Sequence, residues 1–90
     1  MIGPSATHLC TGRVIREDAT PVAGALAAVT RGTAPTPEIA IRADENGSFR
    51  VALPNGRFHI EASGPGMATG SIELVIEDRA CDFEIVLKHG

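Results

Sequence analysis

From Ser48 to Ser63 the chain alternates apolar and polar residues with a period of two. The run is broken once by Pro54-Asn55-Gly56 and preceded by Glu45-Asn46-Gly47. A two-residue period places successive side chains on opposite faces of a strand and does not suit the 3.6-residue turn of a helix. Asn-Gly pairs tolerate the positive φ of tight bends. Asp44 has the place of a turn acceptor for backbone amides just after it, and Gly64 and Gly66 in "GPGM" are expected to supply unusual dihedrals.

Reading the rest of the chain by the same period gives about seven strands and no helix. They are "HLCTGRVI" (8–15), "ALAAVTR" (25–31), "EIAIRA" (38–43), "SFRVAL" (48–53), "RFHIEAS" (57–63), "SIELVI" (71–76) and "CDFEIVLK" (81–88). "GTAPTP" is a connection, because proline cannot sit inside a sheet. Parity then assigns faces. Phe49, Val51 and Leu53 share one side, and Phe58, Ile60, Ala62, Ile72, Leu74, Ile76, Cys81, Phe83, Ile85 and Leu87 point inward. Strands with one oily face bury those faces against each other, which predicts an all-β, about seven-stranded sandwich, with an open barrel as the alternative.

Ninety residues suit one domain, 1–90 with a core of about 8–88. A chain of this size buries roughly 60–65% of its unfolded surface. Aromatic residues are only 3%, three Phe with no Trp or Tyr, so the core must be aliphatic and thin. The net charge of −3, with seven Arg dispersed and Lys88 alone, offers no basic stripe and argues against nucleic-acid binding. No apolar stretch approaches the ~20 residues of a membrane span. The first ten residues have neither a basic nor an apolar signal region, so the protein is expected to stay where it is made unless a signal has been removed.

Cys10 and Cys81 fit no zinc or redox spacing. They read either as two small buried hydrophobes or as one disulfide tying the chain ends. His8, His59 and His89 read as isolated surface residues; His59 and Glu61 share a face but do not make a ligand set, and no metal site is expected. Ser48, Ser63 and Ser71 lack a His or Asp at nucleophile spacing. "DENG" lacks the order and the closing Glu of a calcium loop, and "EDRACDFE" reads as a solvated loop and strand face. No catalytic or cofactor-binding residue is expected.

Two stretches carry a resemblance. "TGRVIREDATPVAGALAAV" has Gly-x-Val, a polar loop, Pro-Val-x-Gly-Ala and a strand. "IRADENGSFRVALPNGRFHIEASGPGM" has Asp-x-x-Gly-x-Phe, Leu-Pro-x-Gly, an aromatic and a strand ending in Gly plus a bulky residue. Together they resemble the carboxypeptidase regulatory-like domain. The matching positions are Gly12, Val14, Pro21, Gly24, Asp44, Gly47, Phe49, Leu53, Pro54, Gly56, Phe58 and Gly66. Met67 stands where the family often has an aromatic, and Phe58 where it often has Tyr.

The resemblance implies a transthyretin-like (prealbumin-like) antiparallel or mixed Greek-key β-sandwich acting as a non-catalytic scaffold, spacer or binding unit. It also implies that the first and last strands run side by side and parallel, which would bring Cys10 near Cys81. A bridge there would favour an oxidising, extracytoplasmic compartment; free thiols would favour the cytoplasm. Enzymes on related sandwiches do not fit. Intradiol dioxygenases need two Tyr and two His, and this chain has no Tyr. Hydroxyisourate hydrolases end in Tyr-Arg-Gly-Ser, and this chain ends "VLKHG". Adhesin-type isopeptide crosslinks need a Lys in the first strand, which here carries Arg13 and Arg16.

Leu9, Ile15, Leu26 and Val86 all have outer-face parity. If their strands are neighbours, that face is oilier than a solvated one, which points to another protein or a second copy (a homodimer) as partner. The alternative is recognition of carbohydrate or peptide through a sheet edge or through loops 17–23, 32–37 and 64–68. The loops have no aromatic platform for a sugar.

Overall fold

The computed structural model of the protein describes residues 7–33, 40–66 and 68–88, and within them the regular structure is entirely β. Seven strands follow in order: β1 (His8–Arg16), β2 (Leu26–Gly32), β3 (Ile41–Arg42), β4 (Ser48–Leu53), β5 (Gly56–Ser63), β6 (Gly70–Ile76) and β7 (Asp82–Leu87). They form two sheets, β4-β1-β7 and β3-β2-β5-β6. β1 runs antiparallel to β4 and parallel to β7, so the first sheet is mixed. The second is antiparallel throughout.

The alternation read in the sequence becomes burial. In β7 every second residue is buried, giving Phe83, Ile85 and Leu87; β5 does the same with Phe58, Ile60 and Ala62. These inner faces meet Val14, Leu53, Leu74 and Ile76 in one apolar cluster between the sheets. A large aliphatic or Phe side chain so buried contributes about 1.5–3 kcal/mol over leaving it exposed. Phe49 and Phe83 meet edge to face, centroids 5.6 Å apart at 76°. Gly12 makes room for them, since a Cβ there would stand 2.4 Å from the Phe49 ring and 2.6 Å from that of Phe83.

The turn before β4 is built by Asp44. Its Oδ1 accepts from the amides of Asn46 at 2.8 Å and Ser48 at 3.0 Å, and its carbonyl accepts from Gly47 N at 3.0 Å. Gly47 (φ 72°) then presents its carbonyl to the Val14 amide at 2.7 Å, while the Val14 carbonyl accepts from Val22 at 2.9 Å. One residue of β1 thus anchors both the 44–47 turn and the segment that follows the first loop.

Two expectations need correction. The third strand is two residues long rather than 38–43; Ala40 and Ala43 are outside it, and Glu38 and Ile39 lie outside the described residues. Of Gly64 and Gly66, positive φ falls at Gly66 (69°) and not at Gly64. The Pro54-Asn55-Gly56 turn carries the chain from β4 in one sheet to β5 in the other, with Gly56 at φ 145°.

Candidate functional site

The four aliphatics of outer-face parity do not form one patch. Leu26 is 43% exposed, but β2 belongs to the other sheet from β1 and β7. Ile15 is only 8% exposed, because Pro21 of the returning loop bridges to it on one side and Val86 of β7 pairs with it on the other. Leu9 (54%) and Val86 (47%) remain on the outer face of β4-β1-β7. Val86 is in register with Ile15, six residues along β1 from Leu9, so about 20 Å separates the two. Leu9 does have an apolar neighbour, exposed Ala52, its register partner on β4. The rest of this face is polar or charged: Thr11, Arg13, Arg50, Asp82 and Glu84.

On the opposite outer face His59 is half-buried between two carboxylates. Its Nε2 lies 3.4 Å from Glu61 Oε1, and its Nδ1 lies 3.7 Å from Glu73 Oε1. Nδ1 is out of reach of solvent and makes no hydrogen bond. Glu73 is brought there by the β5–β6 hairpin, which pairs it with His59. The sequence reading missed Glu73, because its place opposite His59 depends on the register of the β5–β6 hairpin. The two carboxylates sit at opposite nitrogens of the ring, so they do not converge with it on one ion. Among the described residues no group of three or more His, Cys, Asp or Glu is placed to hold a metal. His89 lies outside the described residues.

Loop 17–23 is held by its own polar groups. Thr20 donates its hydroxyl (2.6 Å) and its amide (3.1 Å) to Asp18 Oδ1, and these bonds hold the Asp18 carboxyl below its ordinary range. Loop 32–37 is described only as far as Thr33, which accepts from the Arg57 amide through Oγ1 at 2.9 Å. Loop 64–68 contains Met67, outside the described residues.

At one end of the sandwich several side chains do converge. Asn55 Nδ2 donates to Asp78 Oδ1 at 2.7 Å, the Asp78 amide donates to Asn55 Oδ1 at 2.7 Å, and His8 Nε2 lies 3.1 Å from that same oxygen. Beside this clasp Cys81 Sγ donates to Cys10 Sγ at 3.5 Å, and Cys10 Sγ donates to the His8 carbonyl at 3.6 Å; both thiols are free. Burial, aided by the Cys10 contact, pushes the Cys81 thiol up to about 11.

The family model for the carboxypeptidase regulatory-like domain matches residues 10–88. Among solved structures, the 3-chlorocatechol 1,2-dioxygenase of Rhodococcus opacus 1CP superposes with a TM-score of 0.74 at 14% identity, over 97% of this chain and 61% of that one. A DUF3823 family protein of Parabacteroides merdae ATCC 43184 gives 0.71 at 12% identity, over 96% of this chain and 48% of that one. The chain thus spans less than two thirds of either structure. Identities this low show a common fold and nothing of function. No curated protein matches the sequence.

Proposed function

The chain belongs to the carboxypeptidase regulatory-like domain family, and from that premise we propose that it is a non-catalytic β-sandwich module that works by holding another protein against the β4-β1-β7 face. The observation that carries this reading is the pair Leu9 and Ala52, exposed side by side across β1 and β4 and bordered along the strands by the polar pair Thr11 and Arg50. An apolar centre with a polar rim is the usual anatomy of a protein contact. The partner is a different protein or a second copy of this chain. The similar solved structures are longer than this chain, in keeping with an accessory role beside other parts.

Sedimentation velocity over a wide concentration range, on the native chain and on Leu9→Glu, separates the cases. A dimer that dissociates in the variant identifies the partner as a second copy. If the native chain is a strict monomer, a photo-crosslinker at position 9 must capture a defined protein from the source cells. Capture of nothing in either experiment removes this face as a contact site.

A second reading, recognition of an extended peptide by a sheet edge, is favoured by Val75. It is 58% exposed and sits on β6, an edge strand of the four-stranded sheet. Added peptide would then shift the amide resonances of β6 before those of β5; shifts confined to β1 and β4 would reject this reading.

A further inference from the structure

Cys10 and Cys81 occupy the next place in the parallel ladder of β1 and β7, one step before the pair Thr11 and Asp82. The Thr11 amide donates to the Cys81 carbonyl at 3.0 Å, so the backbone already holds the two strands together at this point. Neighbouring strands lie about 4.8 Å apart, within the range of about 4.4–6.8 Å that a disulfide spans between Cα atoms. The sulfurs stand 3.5 Å apart. Closing that gap asks for rotation of two side chains and no movement of strands. The two thiols also differ in access: Cys10 is fully buried, while Cys81 is partly exposed. The sequence has only these two cysteines, so each is the other's only partner within the chain.

We propose that Cys10 and Cys81 form a dithiol–disulfide site that is oxidised in the folded protein by a small disulfide donor such as oxidised glutathione. The Cys81 thiolate attacks one donor sulfur. The donor S–S bond breaks and its second half leaves as a thiolate, carrying an electron pair. The Cys10 thiolate then attacks Cys81 Sγ and expels the first half. The protein loses two protons and two electrons, and the donor becomes two thiols. Cys81 is the entry point because it alone meets solvent, and Cys10 resolves the mixed disulfide because it alone is within reach. The bridge joins residues 71 apart, tying the strand that begins the sandwich to the one that ends it. It lies beside the His8–Asn55–Asp78 clasp, which holds the same end in place before any bond forms. Because burial raises the Cys81 thiol, its thiolate is scarce near neutral pH, and the site exchanges slowly and keeps the state in which it was set. This site does not depend on the contact face proposed above.

The test incubates reduced native protein with oxidised glutathione, quenches in acid, denatures, labels with N-ethylmaleimide and measures intact mass. The native chain is expected to lose two hydrogen atoms and to carry neither glutathione nor maleimide. Cys10→Ser is expected to accumulate one glutathione on Cys81, about a hundredfold faster at pH 9 than at pH 7, as the thiolate fraction rises. Cys81→Ser is expected to take no glutathione on its buried thiol and to carry one maleimide once denatured. The proposal is overturned if the native chain takes up two maleimides, if it retains glutathione at Cys81, or if it forms intermolecular dimers instead. Should either variant fail to fold, the native chain's mass and the Cys10–Cys81 peptide in a non-reducing digest decide the matter alone.

Discussion

Asn55 and Asp78 hold each other by two reciprocal hydrogen bonds of 2.7 Å, across the gap between the β4–β5 and β6–β7 connections. Asp78 needs that hold, because it sits at φ 57°, where a non-glycine residue is strained. Asn55→Ala removes both bonds and leaves the Asp78 amide to water. The site is exposed, so the expected loss is about 0.5–1.5 kcal/mol, read as a lower urea midpoint at unchanged slope. Asn55→Asp sets a carboxylate against a carboxylate. It is expected to cost more, with the excess shrinking as salt is added. Equal costs for the two variants would mean that the amide is not what positions Asp78.

Gly47 and Gly66 give a matched pair. Their φ values are 72° and 69°, so alanine at either meets the same left-handed penalty of about 1–2 kcal/mol. A Cβ on Gly66 meets nothing within 4 Å, whereas one on Gly47 would stand 2.4 Å from the Val14 carbonyl oxygen, which the backbone cannot move without losing the Val22 bond. Gly47→Ala is therefore expected to cost roughly 1–3 kcal/mol more than Gly66→Ala in thermal or urea unfolding. Equal losses would show that the turn does not press on β1.

The strand faces of β5 and β7 were legible because a two-residue period survives any tertiary context that buries one face. What failed depended on information that periodicity does not hold. Ile15 has outer parity, but the loop that follows β1 folds back to place Pro21, six residues on, beside it. Leu26 shares outer parity with Leu9 and Val86, but parity does not hold adjacency, and sheet order separates them. Glu73 was invisible as a neighbour of His59 until the hairpin register was known. The closeness of Cys10 and Cys81 came from the family resemblance and not from their spacing, which reflects only that they lie near opposite ends of the chain.

Alkaline pH should expose the Cys81 thiol. Its value in the folded protein is raised from 9.0 to about 11, so the native state resists ionisation that the unfolded chain undergoes. With the folded value above the unfolded one, the stability tied to the neutral thiol is fully present below pH 9 and is lost as pH rises through about 11. The chain has no Tyr and a single Lys, so few other groups titrate in this window. Urea midpoints of the reduced protein are expected to fall across it more steeply than those of Cys81→Ser. Parallel curves for the two would refute a burial-raised thiol.

Oxidation of the cysteine pair should change stability far more than any of these substitutions. Closing a loop of ~70 residues removes chain entropy from the unfolded state worth about 4 kcal/mol, if the bond adds no native strain. For a domain of this size each kcal/mol moves the unfolding temperature by roughly 4–8 °C, so the oxidised protein is expected to melt about 15–30 °C higher, with dithiothreitol reversing the gain. The denaturant slope should fall as well, because a crosslinked unfolded chain exposes less surface. These effects depend on β1 and β7 keeping their ladder when the sulfurs join. A protein whose mass proves the bridge but whose midpoint does not rise would show that closing the 3.5 Å gap strains the strands by as much as the lost entropy stabilises them.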